Sequence, residues 1–254
     1  MHSFRFGFCK AFFFFLIAVL AAFAVRNTAA REAQGSSSDV KALVQMIVTE
    51  YGGDGVLANI HSLSAKGVLE TPMYEGPADY SFYLRRDHKL RVETRFGKFL
   101  ELRILNGARG YYRTEGSPMA EVSGPRLLSM IYQFKELTMP YQLMTAAFTI
   151  NDGGRSVVNG IPVRVLKLNG KEGPPMTLYV GMRDHLILKD SGIFIMDGAE
   201  TELSSEFHDF RKVSGRLFPF RVVNFAGGQK VGELHIREYR VNPELPESLF
   251  RPAK

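Results

Sequence analysis

From residue 63 onward, apolar and polar residues mostly alternate, the two-residue period of strands with one buried face. In DYSFYLRR, Tyr80, Phe82 and Leu84 share a face. In KLRVETRF, Leu90, Val92 and Phe96 do, and in KFLELRIL, Leu100, Leu102 and Ile104 lie opposite Glu101 and Arg103. LSAKGVLE, GYYRT, SVV, IPVRVLKL, PMTLYVGM, HLILKD, ELSSEFHDFRK, LFPFRVVNF and KVGELHIREYR read as further strands. Turn signals separate them at Asp87-His88, Phe96-Gly97, Asn106-Gly107, Asn159-Gly160, Asn169-Gly170 and Ser214-Gly215. Asn-Gly is a strong hairpin signal because both turn residues need positive φ. The count comes to roughly eleven to thirteen antiparallel strands. Pro219, inside LFPFRVVNF, predicts a sheet edge or a bulge.

Two segments have the longer helical period. After Asp39, a candidate cap, Val40, Leu43, Val44, Ile47, Val48 and Tyr51 recur at three- and four-residue steps. Gly52-Gly53 ends that helix, and a short second one runs from Asp54 to Ile60. The segment 124–150 places Leu127, Leu128, Ile131, Phe134 and Leu137 on one helix, then breaks at Pro140 before Tyr141 to Ala147.

A long sheet with one apolar face must cover that face or curl around it. The few short helices cannot cover it alone. The expected fold is therefore α+β, mainly antiparallel β: a half-open curled barrel with lid helices and an N-terminal helix. Its hollow would be lined by Phe82, Leu84, Leu90, Val92, Leu100, Leu102, Ile104, Phe218 and Phe220 from strands. Leu128, Ile131, Phe134 and Met144 would line it from helices. Methionines crowd the same region and suit an adaptable apolar surface. The alternative is that side chains fill the hollow, as in small barrels.

The N-terminus changes the compartment. Arg5 and Lys10 precede an apolar run of about 14 residues that ends on Ala22-Phe23-Ala24, the layout of a secretory signal peptide. The run is shorter than the roughly 20 residues of a spanning helix. Residues 1–24 are read as the signal, with Ala30 a second cleavage point, 25–38 as a flexible tail, and 39–254 as one domain. Cys9, the only cysteine, leaves with the signal, so the exported chain relies on its core and not on disulfides. Without Arg5 and Lys10, 30 basic and 26 acidic residues remain, a net of +4. The basic residues stand singly between apolar ones, which argues against a nucleic-acid surface.

The sequence holds no nucleophile elbow, no H-E-x-x-H and no phosphate-binding loop, since Gly170-Lys171 is followed by Glu172. His61, His88, His185, His208 and His235 are too dispersed for a metal motif, so no metal or cofactor is expected. Asp87-His88, Asp184-His185 and His208-Asp209 are adjacent pairs, and adjacent strand residues point to opposite faces. They are read as structural, and the chain as non-enzymatic.

Several stretches resemble the LolA/LolB-like periplasmic lipoprotein carriers: YLRRDHKLRVE with LNGARGYYR, FHDFRKVSGRLFPFRVVNF, and the tail YRVNPELPESLFRP. The resemblance covers most of residues 39–252. It implies an eleven-stranded half-barrel that holds acyl chains, with an arginine latching the lid. Arg86 stands at the latch position, followed by Asp87 where the family has proline, and Arg85 is its neighbour. The chain differs in its added N-terminal helix and an insertion near residues 192–202. The resemblance implies a monomeric carrier of lipid or acylated lipoprotein in the periplasm, between an inner-membrane donor and an outer-membrane acceptor. A sensor or scaffold docking on an envelope signalling protein, and a lipid hydrolase, are the rival readings.

Overall fold

The computed structural model describes residues 37–252 apart from residue 197. The signal segment, its cleavage points and most of the expected tail lie outside the described residues. Helix α1 covers residues 37–50 and α2 Gly53–Ala58. Five strands follow, β1 (Ser62–Glu70), β2 (Ala78–Arg85), β3 (Lys89–Phe96), β4 (Phe99–Asn106) and β5 (Arg109–Arg113). A short β6 (Ala120–Val122) leads to helices α3 (Gly124–Thr138) and α4 (Tyr141–Met144). The second half is β7 (Phe148–Val158), β8 (Ile161–Gly170), β9 (Met176–Gly181), β10 (Ile187–Met196), β11 (Ala199–Val213), β12 (Arg216–Ala226) and β13 (Gln229–Val241). A one-turn 3-10 helix, Glu247–Phe250, follows near the C-terminus.

All thirteen strands form one sheet in the order β6-β5-β4-β3-β2-β1-β13-β12-β11-β10-β9-β8-β7. Each neighbouring pair is antiparallel. The two ends, β6 and β7, do not pair, so the barrel stays open. Helix α3 touches both β4 and β10, although six strands lie between them. In a flat sheet those strands would stand about 34 Å apart, against a helix about 10 Å wide. The sheet therefore curls around α3.

Two apolar clusters fill the concave side. In one, Val40, Leu43, Ile47, Val48 and Tyr51 of α1 pack on β8 to β10 through Leu166, Leu168, Leu178, Val180 and Ile187. In the other, Met130 and Phe134 of α3 pack against Phe82, Leu84, Leu90, Val92 and Leu105, with Phe218, Phe220 and Val222 of β12. Among the described residues, no helix is long and apolar enough to cross a membrane.

Several sequence expectations shift. Helix α1 already includes residues 37 and 38, so Asp39 sits inside it. The helical segment after Pro140 ends at Met144, because Phe148 already pairs with Gly170 as the start of β7. That pairing also places Asn169-Gly170 inside β8, where no positive φ is needed. Asn159 and Gly160, by contrast, form the tight turn with φ of 49° and 79°. Residues 192–202 lie in the hairpin of β10 and β11. Pro219 lies on an interior strand, but β12 pairs with β13 only from Arg221 to Ala226, so the proline sits at a local edge.

Candidate functional site

Between α3 and the curled sheet lies a hollow of about 300 Å³. Its sheet wall is largely apolar and includes Leu63, Leu69, Phe82, Phe218, Val222 and Leu234. From α3 it receives Ser129, Tyr132, Gln133 and Glu136, residues at i, i+3, i+4 and i+7 and hence one stripe of the helix. Ser129 and Met139 are ten positions apart, about 15 Å along a helix. The hollow thus follows α3 over most of its length, a shape suited to an alkyl chain. Past Ser129 and Leu203 the hollow adjoins an open groove with Val122, Pro125, Arg126, Phe194 and Met196.

Besides Arg103, whose Nε lies 3.3 Å from Glu101, two sets of polar groups line the hollow. At mid-length, Tyr132 donates its hydroxyl to Asp190 Oδ1 at 3.4 Å, and Ser205 donates to Glu136 Oε2 at 3.3 Å. Asp190 is 1 % exposed. Burial pushes its carboxyl well above the usual range, and the nearby Glu136 adds to this. Burial likewise raises Glu136 to about 7, against the Ser205 hydrogen bond. At the α4 end, Arg216 enters from β12. It donates from Nη2 to the carbonyl of Met139, at the junction of α3 and α4, and its guanidinium stacks 4.4 Å from the Phe218 ring. Its Nε has no hydrogen-bond partner.

The expected lining residues distribute unevenly. Phe82 and Phe218 line the hollow. Leu84, Leu90, Val92, Phe134 and Phe220 lie in the cluster beside it, with Ile131 packed against them. Met144 packs on the α1 cluster instead. Leu128 is 38 % exposed and points away. Leu102 and Ile104 are buried on the opposite, convex face against Phe250, and Leu100 shares their side of β4. The register explains this: Val92 of the inner face stands opposite Arg103, which puts Glu101, Arg103 and Leu105 inside and the even-numbered residues outside.

Arg86 reaches the helices. Its Nη1 donates to the Ala58 carbonyl at 2.8 Å, its Nη2 lies 3.0 Å from His61 Nδ1, and its guanidinium sits 4.2 Å from the Tyr141 ring. It joins α2, α4 and the β2–β3 turn, and with Arg216 it flanks a narrow crevice between them. Arg85 is engaged elsewhere, with Asp87 and Glu247 at 2.8 and 3.0 Å.

The adjacent Asp-His pairs do not pair with each other. His208 lies 3.7 Å from Glu206, and Asp209 binds Arg211 through both oxygens. His88 and His185 are turn residues with φ of 60° and 53°. Among the described residues, no cluster of three or more His, Cys, Asp or Glu side chains could hold a metal ion.

Sequence reasoning missed Arg216 and the polar stripe of α3. The stripe was legible as spacing, but its direction depends on the curl of the sheet. For Arg216, the sequence shows only a basic residue after a Ser-Gly turn.

No family model and no curated protein matches the chain. Solved structures do. A LolA superfamily protein from Nitrosomonas europaea matches over 84% of this chain and 97% of its own, at 12% identity and a TM-score of 0.54. A DUF1329 family protein from Desulfovibrio piger matches over 84% and 97%, at 12% identity and a TM-score of 0.56. A domain named for outer membrane lipoprotein sorting, from Vibrio parahaemolyticus, matches over 87% and 97%, at 13% identity and a TM-score of 0.50. The fold of this chain is that of the LolA-like proteins.

Proposed function

We propose that the protein is a non-enzymatic periplasmic carrier that holds a lipid, or the acyl chain of a lipoprotein, in the hollow beneath α3. The observation that carries this reading is the hollow itself, about 300 Å³ and walled on the sheet side largely by apolar residues. Each methylene moved there from water contributes roughly 0.8 kcal/mol, so a single chain supplies useful affinity. The domain named for outer membrane lipoprotein sorting has the same fold, which agrees with such a cargo. Arg86 and Arg216 hold α2 and the α3–α4 junction to the strands, so release of these contacts would free the lid. In this reading the donor is an inner-membrane protein and the acceptor an outer-membrane one. Lipid extraction and mass spectrometry of protein purified from periplasm test it, together with a fluorescent fatty-acid probe. Absence of co-purified lipid and of probe binding sinks the carrier reading.

One observation favours a second reading, a sensor that docks on an envelope protein. Ile193, Ile195 and Met196 on the β10–β11 hairpin are 49%, 55% and 41% exposed. A stoichiometric partner captured from envelope extracts, lost on substitution of Ile193 and Ile195 but indifferent to changes inside the hollow, would support it.

A further inference from the structure

Resting on the carrier reading, we infer that the hollow takes a single-chain amphiphile head first, with an anionic group such as a carboxylate held by Arg216. Arg216 is 5 % exposed and lines the hollow at its α4 end. Among the described residues, no carboxylate forms an ion pair with it. Its Nη2 is spent on the Met139 carbonyl, and its Nε has no partner. An unpaired buried charge is costly, and a planar guanidinium with a free N–H suits a carboxylate.

The other ionic groups of the hollow differ from Arg216: Arg103 has a carboxylate beside it, Glu101 at 3.3 Å from its Nε. Asp190 and Glu136 can shed their charge by taking a proton, and burial favours that. Arginine keeps its charge: burial pushes Arg216 down only to about 10, still cationic at neutral pH. The ionisable groups that face it, Tyr239 and Tyr51, are held neutral because burial raises them. Its positive charge therefore lacks an internal counter-ion, and a bound anion would supply one.

The shape agrees. From Arg216 the hollow runs along α3 toward Ser129 and the open groove, with Phe82, Phe218 and Leu234 along the sheet wall. It spans about 15 Å along the helix, so a medium-length chain would lie with its tail toward the groove.

Calorimetric titration of the lipid-stripped protein with decanoate, decanol and decylamine tests this, since the three share a chain and differ in the head. Decanoate is expected to bind at least tenfold more tightly than either of the others. Arg216→Met should remove that preference, leaving acid and alcohol alike. Because Arg216 also holds the α3–α4 junction, Arg216→Lys is the companion variant: it keeps the charge and should retain part of the preference. Equal binding of all three overturns the assignment of the head group while leaving the carrier reading intact. Preference for decylamine overturns it in favour of Asp190 and Glu136. If none of the three binds, this inference falls; the carrier reading is judged separately by the native lipid content.

Discussion

Gly192 of β10 lies directly beneath the ring of Tyr132, so that a Cβ added there would stand 2.5 Å from Tyr132 Cε2. The close approach lets Tyr132 lie against the strand and place its hydroxyl by Asp190, two residues away. Gly192→Ala should force the ring off β10 and cost about 1–3 kcal/mol, the usual range for overpacking. Tyr132→Phe keeps the shape and loses only the hydroxyl, at about 1 kcal/mol. Urea midpoints of the two variants check the order: Gly192→Ala as stable as wild type would show that α3 is not seated on β10 in this way.

Glu136 and Glu233 should give the protein opposite pH slopes. Burial raises Glu136 from 4.5 to about 7. The folded state therefore holds a proton that the unfolded state has already lost, and stability falls as pH rises from about 4.5 to 7. Glu136→Gln should make that decline shallower, leaving the part due to Asp190, whose carboxyl burial also raises, and should be the more stable protein at pH 8. Glu233 is held down to about 2 by hydrogen bonds from Arg221 and Lys230. Its contribution is present above about 4.5 and is lost as pH falls toward 2. Glu233→Gln should lower stability at neutral pH and weaken the acid-side loss. Denaturation midpoints across pH 3 to 8 check both signs, and a wild-type decline unchanged in Glu136→Gln would refute the burial of that carboxyl.

The strands were legible because their alternation and turn residues are local properties. KLRVETRF is β3 residue for residue, and the Ser214-Gly215 turn sits where the two-residue signal put it. Which apolar face looks inward is not local. Leu100, Leu102 and Ile104 alternate as cleanly as Leu90 and Val92, yet register with β3 turns them outward. The adjacent Ile104 and Leu105, both apolar, were the sign that both faces of β4 are covered. Asn169-Gly170 failed for a related reason: pairing with β7 extends β8 through it, and tertiary hydrogen bonding overrides the turn preference. The stripe of α3 that faces the hollow is polar because the apolar stripe is already used against β2 to β5.

Arg86 links three elements that no strand pairing joins. Arg86→Met keeps the stem but removes the bonds to Ala58 and His61 and the stacking on Tyr141. Stability should fall by about 1–3 kcal/mol, as for hydrogen bonds made by a charged group. Arg85→Met loses exposed pairs with Asp87 and Glu247 and should cost at most about 1 kcal/mol. Hydrogen exchange locates the effect: faster exchange confined to α2 and α4 in Arg86→Met is expected. Uniform acceleration over the whole sheet would argue against a latch.

Phe250 tests the two faces of the sheet against each other. It is fully buried on the convex side with Leu102 and Ile104, and the 3-10 helix that carries it is pinned by Asn106 Nδ2 on its carbonyl at 3.2 Å and Arg91 on that of Leu249 at 3.1 Å. Phe250→Ala should cost about 3–5 kcal/mol through the cavity it leaves. Below the melting range it should leave binding of a fatty-acid probe unchanged, because the hollow lies across the sheet. Phe82→Ala, on the concave wall, should cost a similar amount and also change the affinity of the probe. Thermal melts and probe titrations on both variants separate stability from binding. Loss of probe affinity in Phe250→Ala with Phe82→Ala unaffected would place the binding surface on the convex face and return Leu102 and Ile104 to the site.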